Sequence, residues 1–98
     1  MENNRIALLG VIVENPASTQ EINRLLHEYG KYIVGRMGIP YRSRKIAIIS
    51  VVLDAPADIA SGLAGKLGML PGVSVKTVYS KTHRAGKRNN EIYEQKCR

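Results

Sequence analysis

Four stretches of the chain are rich in β-branched and aliphatic residues over the length of a typical strand. The first ends at Asn15 and Pro16, a pair that commonly interrupts a strand. The last alternates between apolar and polar positions, as expected when one side of a strand faces a core and the other faces solvent. The predicted strands are Arg5–Glu14, Tyr32–Ile39, Lys45–Leu53 and Val73–Tyr79.

Between the first and second strands, apolar residues recur with helical periodicity. Ile22, Leu25, Leu26 and Tyr29 fall on one face of a helix. The segment 18–21 has the spacing of a capping box, with a serine followed three residues later by a glutamate. A glycine at position 30 is typical of the left-handed residue that follows a helix. The pattern predicts a first helix between these two signals.

A second helix follows the third strand. Ile59, Leu63 and Leu67 form its apolar stripe, and a glycine at position 68 ends it. We expect Asp54 or Ala55 to cap this helix, with the proline at position 56 in the first turn.

The order of the predicted elements is βαββαβ. A turn at Leu70–Gly72 connects the last helix to the last strand, with glycine at the position of a type II turn that needs a positive φ. This order is typical of an α+β ferredoxin-like sandwich, in which two helices cover one face of a four-stranded antiparallel sheet. The first and third strands would then be central and the other two would lie at the edges.

Both central strands are apolar on both of their sides. In the first strand, Ile6, Leu8 and Ile12 alternate with aliphatic residues rather than polar ones, and the third strand follows the same pattern. Since two helices cover one face only, the other would expose more apolar surface than a monomer usually tolerates. We therefore expect a homo-oligomer, a dimer or a tetramer; the alternative is that the C-terminal tail folds over the open face. The interface candidates are Leu9, Val11, Val13, Ile49 and Val51.

The length of 98 residues fits one domain, and the net charge of +7 is unevenly distributed. Residues 81–98 contribute +4 and residues 1–80 contribute +3. We therefore divide the chain into a folded domain over 1–80 and a basic tail over 81–98, which is either mobile or a short helix around 90–96. Nucleic-acid binding through this tail is the alternative function, although nucleic acid is an unlikely partner for the domain itself.

Several localisations and chemistries are disfavoured by the sequence. No apolar run approaches the roughly 18 residues of a membrane span, and no secretory signal is recognisable, so a cytoplasmic protein is expected. One cysteine, Cys97, excludes an internal disulfide and a multi-cysteine metal site. RNA-recognition motifs stack bases on aromatic residues of their central strands, and here these strands have none.

No arrangement of catalytic residues is visible. His27 falls on the polar face of the first helix, and Glu14, Asp54 and Asp58 form no evident pair. We therefore expect no catalytic residue, no metal site, no cofactor and no enzymatic activity.

The most concentrated positive charge within the domain lies around the connection between the second and third strands. Arg36, Tyr41, Arg42 and Arg44 are candidates for binding an anionic effector, because guanidinium groups form paired hydrogen bonds with oxyanions. The interpretation that we favour for this charge is a solvated hairpin whose charges prevent an edge strand from pairing with other chains.

Four stretches of the chain resemble one family. They are Leu26–Gly30, Ile33–Tyr41, Ile48–Val52 and Lys66–Val78, and they resemble regulators of iron-only hydrogenase systems, small bacterial proteins with an ACT-like, ferredoxin-like fold. The resemblance covers about residues 4–80. It implies a regulatory role. Together with the apolar sheet, this leads us to predict a non-enzymatic oligomeric module that binds a small effector or a protein partner where protomers meet.

Two further resemblances are incomplete. The fold is similar to the effector domain of nickel-responsive repressors, but residues 30–53 contain neither the histidines nor the cysteine that hold nickel there. In amino-acid-binding ACT domains a glycine-containing loop follows the first strand, and this chain has Glu14–Ser18 instead. We therefore infer neither nickel binding nor amino-acid binding from these resemblances.

Overall fold

The computed structural model describes residues 4–81. Two short 3-10 turns, Pro16–Ser18 and Gly30–Tyr32, flank the first helix. The predictions for the tail, including a helix around 90–96, lie outside the described residues. The strands are β1 (Asn4–Val13), β2 (Ile33–Tyr41), β3 (Ile46–Pro56) and β4 (Val73–Tyr79), and the helices are α1 (Thr19–Glu28) and α2 (Ala57–Gly68).

The four strands form one antiparallel sheet in the order β2-β3-β1-β4. β1 and β3 are central and pair over their full length, from Asn4 opposite Pro56 to Val13 opposite Ala47. β2 and β4 are the edges. The predicted ferredoxin-like sandwich is confirmed, with both helices packed into a single core on one face.

Alternate residues of the central strands form that core with the apolar stripes of the helices. Leu9 and Leu53 are fully buried beneath Ile22, Leu63 and Leu67. Each helix contributes residues three or four positions apart, which lie on one side of a helix. We call this side of the sheet the covered face. Within residues 4–81, neither helix is long enough to cross a membrane.

The residues predicted to form an oligomer interface belong to the covered face instead. Leu9, Val11, Val13, Ile49 and Val51 are all buried within one chain. They cannot reach a second copy because α1 and α2 already lie over them, so that prediction is wrong. The surplus apolar surface is the opposite set of side chains on the same strands.

The helix starts also differ from the prediction. Ser18 precedes α1, but its hydroxyl donates to the Pro71 carbonyl oxygen at 2.7 Å rather than capping the helix. Asp54 and Ala55, the two predicted caps of the second helix, remain in β3 because β1 pairs with that strand as far as Pro56. The N-cap of α2 is therefore Pro56, one residue after the later of the two predicted caps.

The two predicted glycine positions have different outcomes. Gly72 has φ +70°, which confirms the positive φ expected in the turn before β4. Gly30 instead opens a 3-10 turn, so it is not the left-handed residue that the sequence predicted.

Candidate functional site

The second face of the sheet, which we call the open face, is apolar and uncovered in residues 4–81. Seven large hydrophobic side chains on it are 41–62% exposed. The strand register places them on one side, because residues paired across antiparallel strands point to the same face. They are Ile6, Leu8 and Ile12 of β1, Met37, Ile39 and Tyr41 of β2, and Val78 of β4.

Cross-strand rows make this surface continuous. Ile39, Ile48 and Ile12 lie side by side across β2, β3 and β1. A second row places Val52 beside Leu8, which pairs in turn with Val78 of β4. Each row is aliphatic over three strands, and such a surface can pack against another apolar surface.

Polar side chains on the open face lie mainly toward β4. Ser74 is opposite Ile12, and Lys76 is opposite Gly10. Gly10 and its partner Ser50 give the middle of the face small side chains. The apolar surface is therefore widest over β2, β3 and β1.

The β2–β3 hairpin is exposed along most of β2. Its turn contains Arg42 and Arg44, both exposed, with backbone hydrogen bonds from Arg44 to Tyr41 and from Lys45 to Arg42, each 3.2 Å. Lys45 completes the turn with φ +58°. Pro40, opposite Ala47, lies in this edge strand. Tyr41, Arg42 and Arg44 are thus grouped at one end of the open face.

Arg36 is separated from this group. It pairs with Val51, a residue of the covered face, so Arg36 and Tyr41 are on opposite sides of β2. A guanidinium nitrogen of Arg36 donates to Asn23 Oδ1 on α1 at 3.1 Å. The four predicted anion-binding residues therefore do not form one site.

Arg36 borders a groove of about 460 Å³ between α1 and the edge strand β2. The sequence pattern places His27 on the polar face of α1, and no signal in the sequence connects it or Asn23 to β2. The lining residues are Asn23, Leu26, His27, Gly30, Ile33 and Arg36.

The charges on the outer side of α1 neutralise one another. Arg24 forms ion pairs with Glu21 and, at 2.6 Å, with Glu28. Its hydrogen bond to Glu21 lowers the pKa of that carboxyl below the usual 4.5, and the same bond raises the pKa of Arg24. Within residues 4–81, no carboxylate lies within 4.0 Å of Arg36. Among the described residues, Arg36 therefore has a hydrogen-bond partner but no ion-pair partner.

A metal site is not formed by the described part of the chain. Among residues 4–81, no three histidine, cysteine, aspartate or glutamate side chains come together in a group able to hold a metal ion.

Comparison with known proteins gives one family match. The family described as TM1266-like, iron-only hydrogenase system regulator, matches residues 5–77. The structure of protein TM1266 from Thermotoga maritima is similar to this chain at 38% sequence identity with a TM-score of 0.76; the match covers 80% of this chain and 99% of that one. Among curated proteins, none has a significant sequence match.

Two more distant structures are similar in fold alone. The C-terminal domain of the MgtC protein from Mycobacterium tuberculosis is 18% identical with a TM-score of 0.59, covering 87% of this chain and 97% of that one. A formyltetrahydrofolate deformylase from Pseudomonas putida KT2440 is 17% identical with a TM-score of 0.58, and the match covers 94% of this chain but 38% of the deformylase.

Proposed function

Because the chain belongs to the TM1266-like family of iron-only hydrogenase system regulators, we propose that it is a non-enzymatic cytoplasmic regulator of such a system. We further propose that it acts as a homo-oligomer in which the open faces of two copies pack together. The continuous apolar open face is the observation that supports this assembly.

The size of the open face favours a second copy over exposure to water. Its central side chains include Leu8 and Ile12, which are 42% and 41% exposed on either side of the small residues Gly10 and Ser50. Burying about 500 Å² of apolar surface would contribute roughly 12 kcal/mol before the costs of association are subtracted. The same face on both copies would also satisfy the two-fold symmetry of most homodimers.

The hairpin end of the open face suggests where regulation acts. Tyr41, Arg42 and Arg44 lie beside the proposed interface and have no carboxylate within 4.0 Å in the described part of the chain. An acidic segment of a partner protein, or an anionic effector, bound there would contact the edge of the assembly. Such binding would couple occupancy of the hairpin site to association of the two copies of the chain.

The assembly is tested with two lysine substitutions of matched chemistry. Leu8→Lys places a charge in the middle of the open face, whereas Met69→Lys alters a side chain that is 84% exposed at the end of α2. Light scattering after size exclusion should give an oligomer for the wild type and Met69→Lys and a folded monomer for Leu8→Lys. A wild-type monomer at every concentration would refute the proposed assembly.

The regulatory role needs a separate measurement in cells that contain the hydrogenase system. Deleting the chain should change hydrogenase activity, and Met69→Lys should restore the original level. Leu8→Lys, present at equal abundance, should fail to restore it. Hydrogenase activity that is unaffected by deletion would contradict the regulatory role, whatever the oligomeric state.

A further inference from the structure

The groove between α1 and β2 combines an apolar surface with one charged group. Leu26 is buried and Ile33 is half-buried, and both line it. Gly30 adds no side chain, and a Cβ built on it would meet no atom within 4 Å. The volume of about 460 Å³ is within the range of small-molecule sites.

Arg36 and Asn23 leave several hydrogen-bond donors at the rim of this groove. The bond from Arg36 to Asn23 Oδ1 uses one of the five N–H groups of the guanidinium and none of the Asn23 amide hydrogens. It also holds Arg36 against α1, which reduces the conformational freedom lost when a ligand binds. The remaining N–H groups of the Arg36 guanidinium can donate to the two oxygens of a carboxylate.

The charge of the groove distinguishes among anions. Arg36 is the one lining residue with a permanent charge. One positive charge balances one carboxylate, whereas a phosphate dianion would remain partly unpaired. The apolar lining in turn favours a ligand with a hydrocarbon body.

We propose that this groove binds a small monocarboxylic acid. Arg36 and Asn23 hold its carboxylate, and its hydrocarbon part lies against Leu26, Ile33 and the surface left free at Gly30. The identification of this ligand as the effector rests on the proposed regulatory function; its binding does not. None of these residues is on the open face, so binding and assembly can be tested independently.

The test uses isovalerate, with isovaleramide as an uncharged probe of the same shape, in NMR titrations of the full chain. Isovalerate should shift the backbone amide signals around residues 23–36, and the shifts should saturate. The affinity for isovaleramide should be lower by about tenfold or more. Arg36→Gln should weaken isovalerate binding by about the same factor. Lys81→Gln, which removes an exposed positive charge just after β4, should leave it unchanged.

A second pair of variants tests the location without altering any charge. Gly30→Leu adds a side chain in the groove, and Gly65→Leu adds the same side chain on α2, where it also meets no atom within 4 Å. Gly30→Leu should abolish the isovalerate shifts and Gly65→Leu should retain them, with both proteins folded.

Three results would overturn the proposal. They are the absence of isovalerate shifts around the groove, equal binding of acid and amide, and undiminished binding by Arg36→Gln and Gly30→Leu. An intact wild-type oligomer in any of these cases would show that the groove proposal has failed while the proposed assembly stands.

Discussion

Ser18 and Pro71, 53 residues apart in the chain, are joined by a hydrogen bond from the serine hydroxyl to the proline carbonyl oxygen at 2.7 Å. Ser18 is almost fully buried. The bond connects the segment before α1 to the turn before β4, so it links the two crossovers at the same end of the sheet.

Removal of this hydroxyl should destabilise the fold. Ser18→Ala leaves the Pro71 carbonyl without this donor, and we expect the free energy of unfolding to fall by about 1–2 kcal/mol. Urea unfolding would measure the loss. Ser61→Ala is the control, because its exposed hydroxyl makes only a long 3.5 Å contact with the Asp58 carbonyl. Equal stability of the two variants would show that the bond contributes nothing.

Gly72 should not tolerate a side chain. A Cβ there would lie 2.6 Å from the Asn15 Cβ and 2.9 Å from its backbone nitrogen, and φ is +70°. Gly72→Ala should therefore lower the free energy of unfolding by about 2 kcal/mol or more, as measured by urea titration. Gly68→Ala meets no atom within 4 Å and should be neutral or slightly stabilising. A neutral Gly72→Ala would contradict the close approach of the two loops.

The adjacent residues Leu8 and Leu9 should respond differently to truncation, because they point to opposite faces. Leu9 is fully buried beneath the helices, and Leu9→Ala should cost about 2–5 kcal/mol at any protein concentration. Under the proposed assembly, the loss in Leu8→Ala should depend on concentration and become small in dilute solution, where the proposed oligomer would dissociate. Thermal unfolding across a dilution series distinguishes these cases, and a large concentration-independent loss in Leu8→Ala would count against an exposed Leu8.

The ion pair between Glu21 and Arg24 should make stability depend on acid pH. The arginine lowers the folded-state pKa of Glu21, so the contribution is present above the unfolded pKa of 4.5 and is lost as the pH falls through the lowered value. Arg24→Gln should raise the pKa of Glu21 toward 4.5 and make unfolding free energy less dependent on pH in this window. NMR titration of the Glu21 carboxyl tests this, with Lys31→Gln as a control; an unchanged pKa in Arg24→Gln would disprove the assignment.

The order of elements was predictable because each strand and helix has its own periodicity. The face that the helices cover was not, since Leu8 and Leu9 are the same residue type and strand alternation marks two faces without distinguishing them. That choice depends on the handedness of the crossovers and on three-dimensional packing. The five interface candidates were therefore taken from the covered side of correctly predicted central strands.

The candidate site shows the same limit. Arg36 and Tyr41 are five positions apart in one strand. Because the register is regular between them, this odd spacing places their side chains on opposite faces of the sheet. Asn23 approaches Arg36 only because the 3-10 turn and β2 bring the edge of the sheet back beside α1. The cap of α2 was misassigned for a related reason, because pairing with β1 extends β3 through Asp54 and Ala55 to Pro56.

Pro40 affects whether a strand of another chain can add to the edge of the sheet. Proline lacks an amide hydrogen, so the ladder that β2 can offer to an incoming strand is interrupted at this position. Lateral addition of further chains, the first step toward a fibril, is thereby disfavoured along this strand. The proline thus protects an aliphatic hairpin that would otherwise be prone to polymerise through this edge.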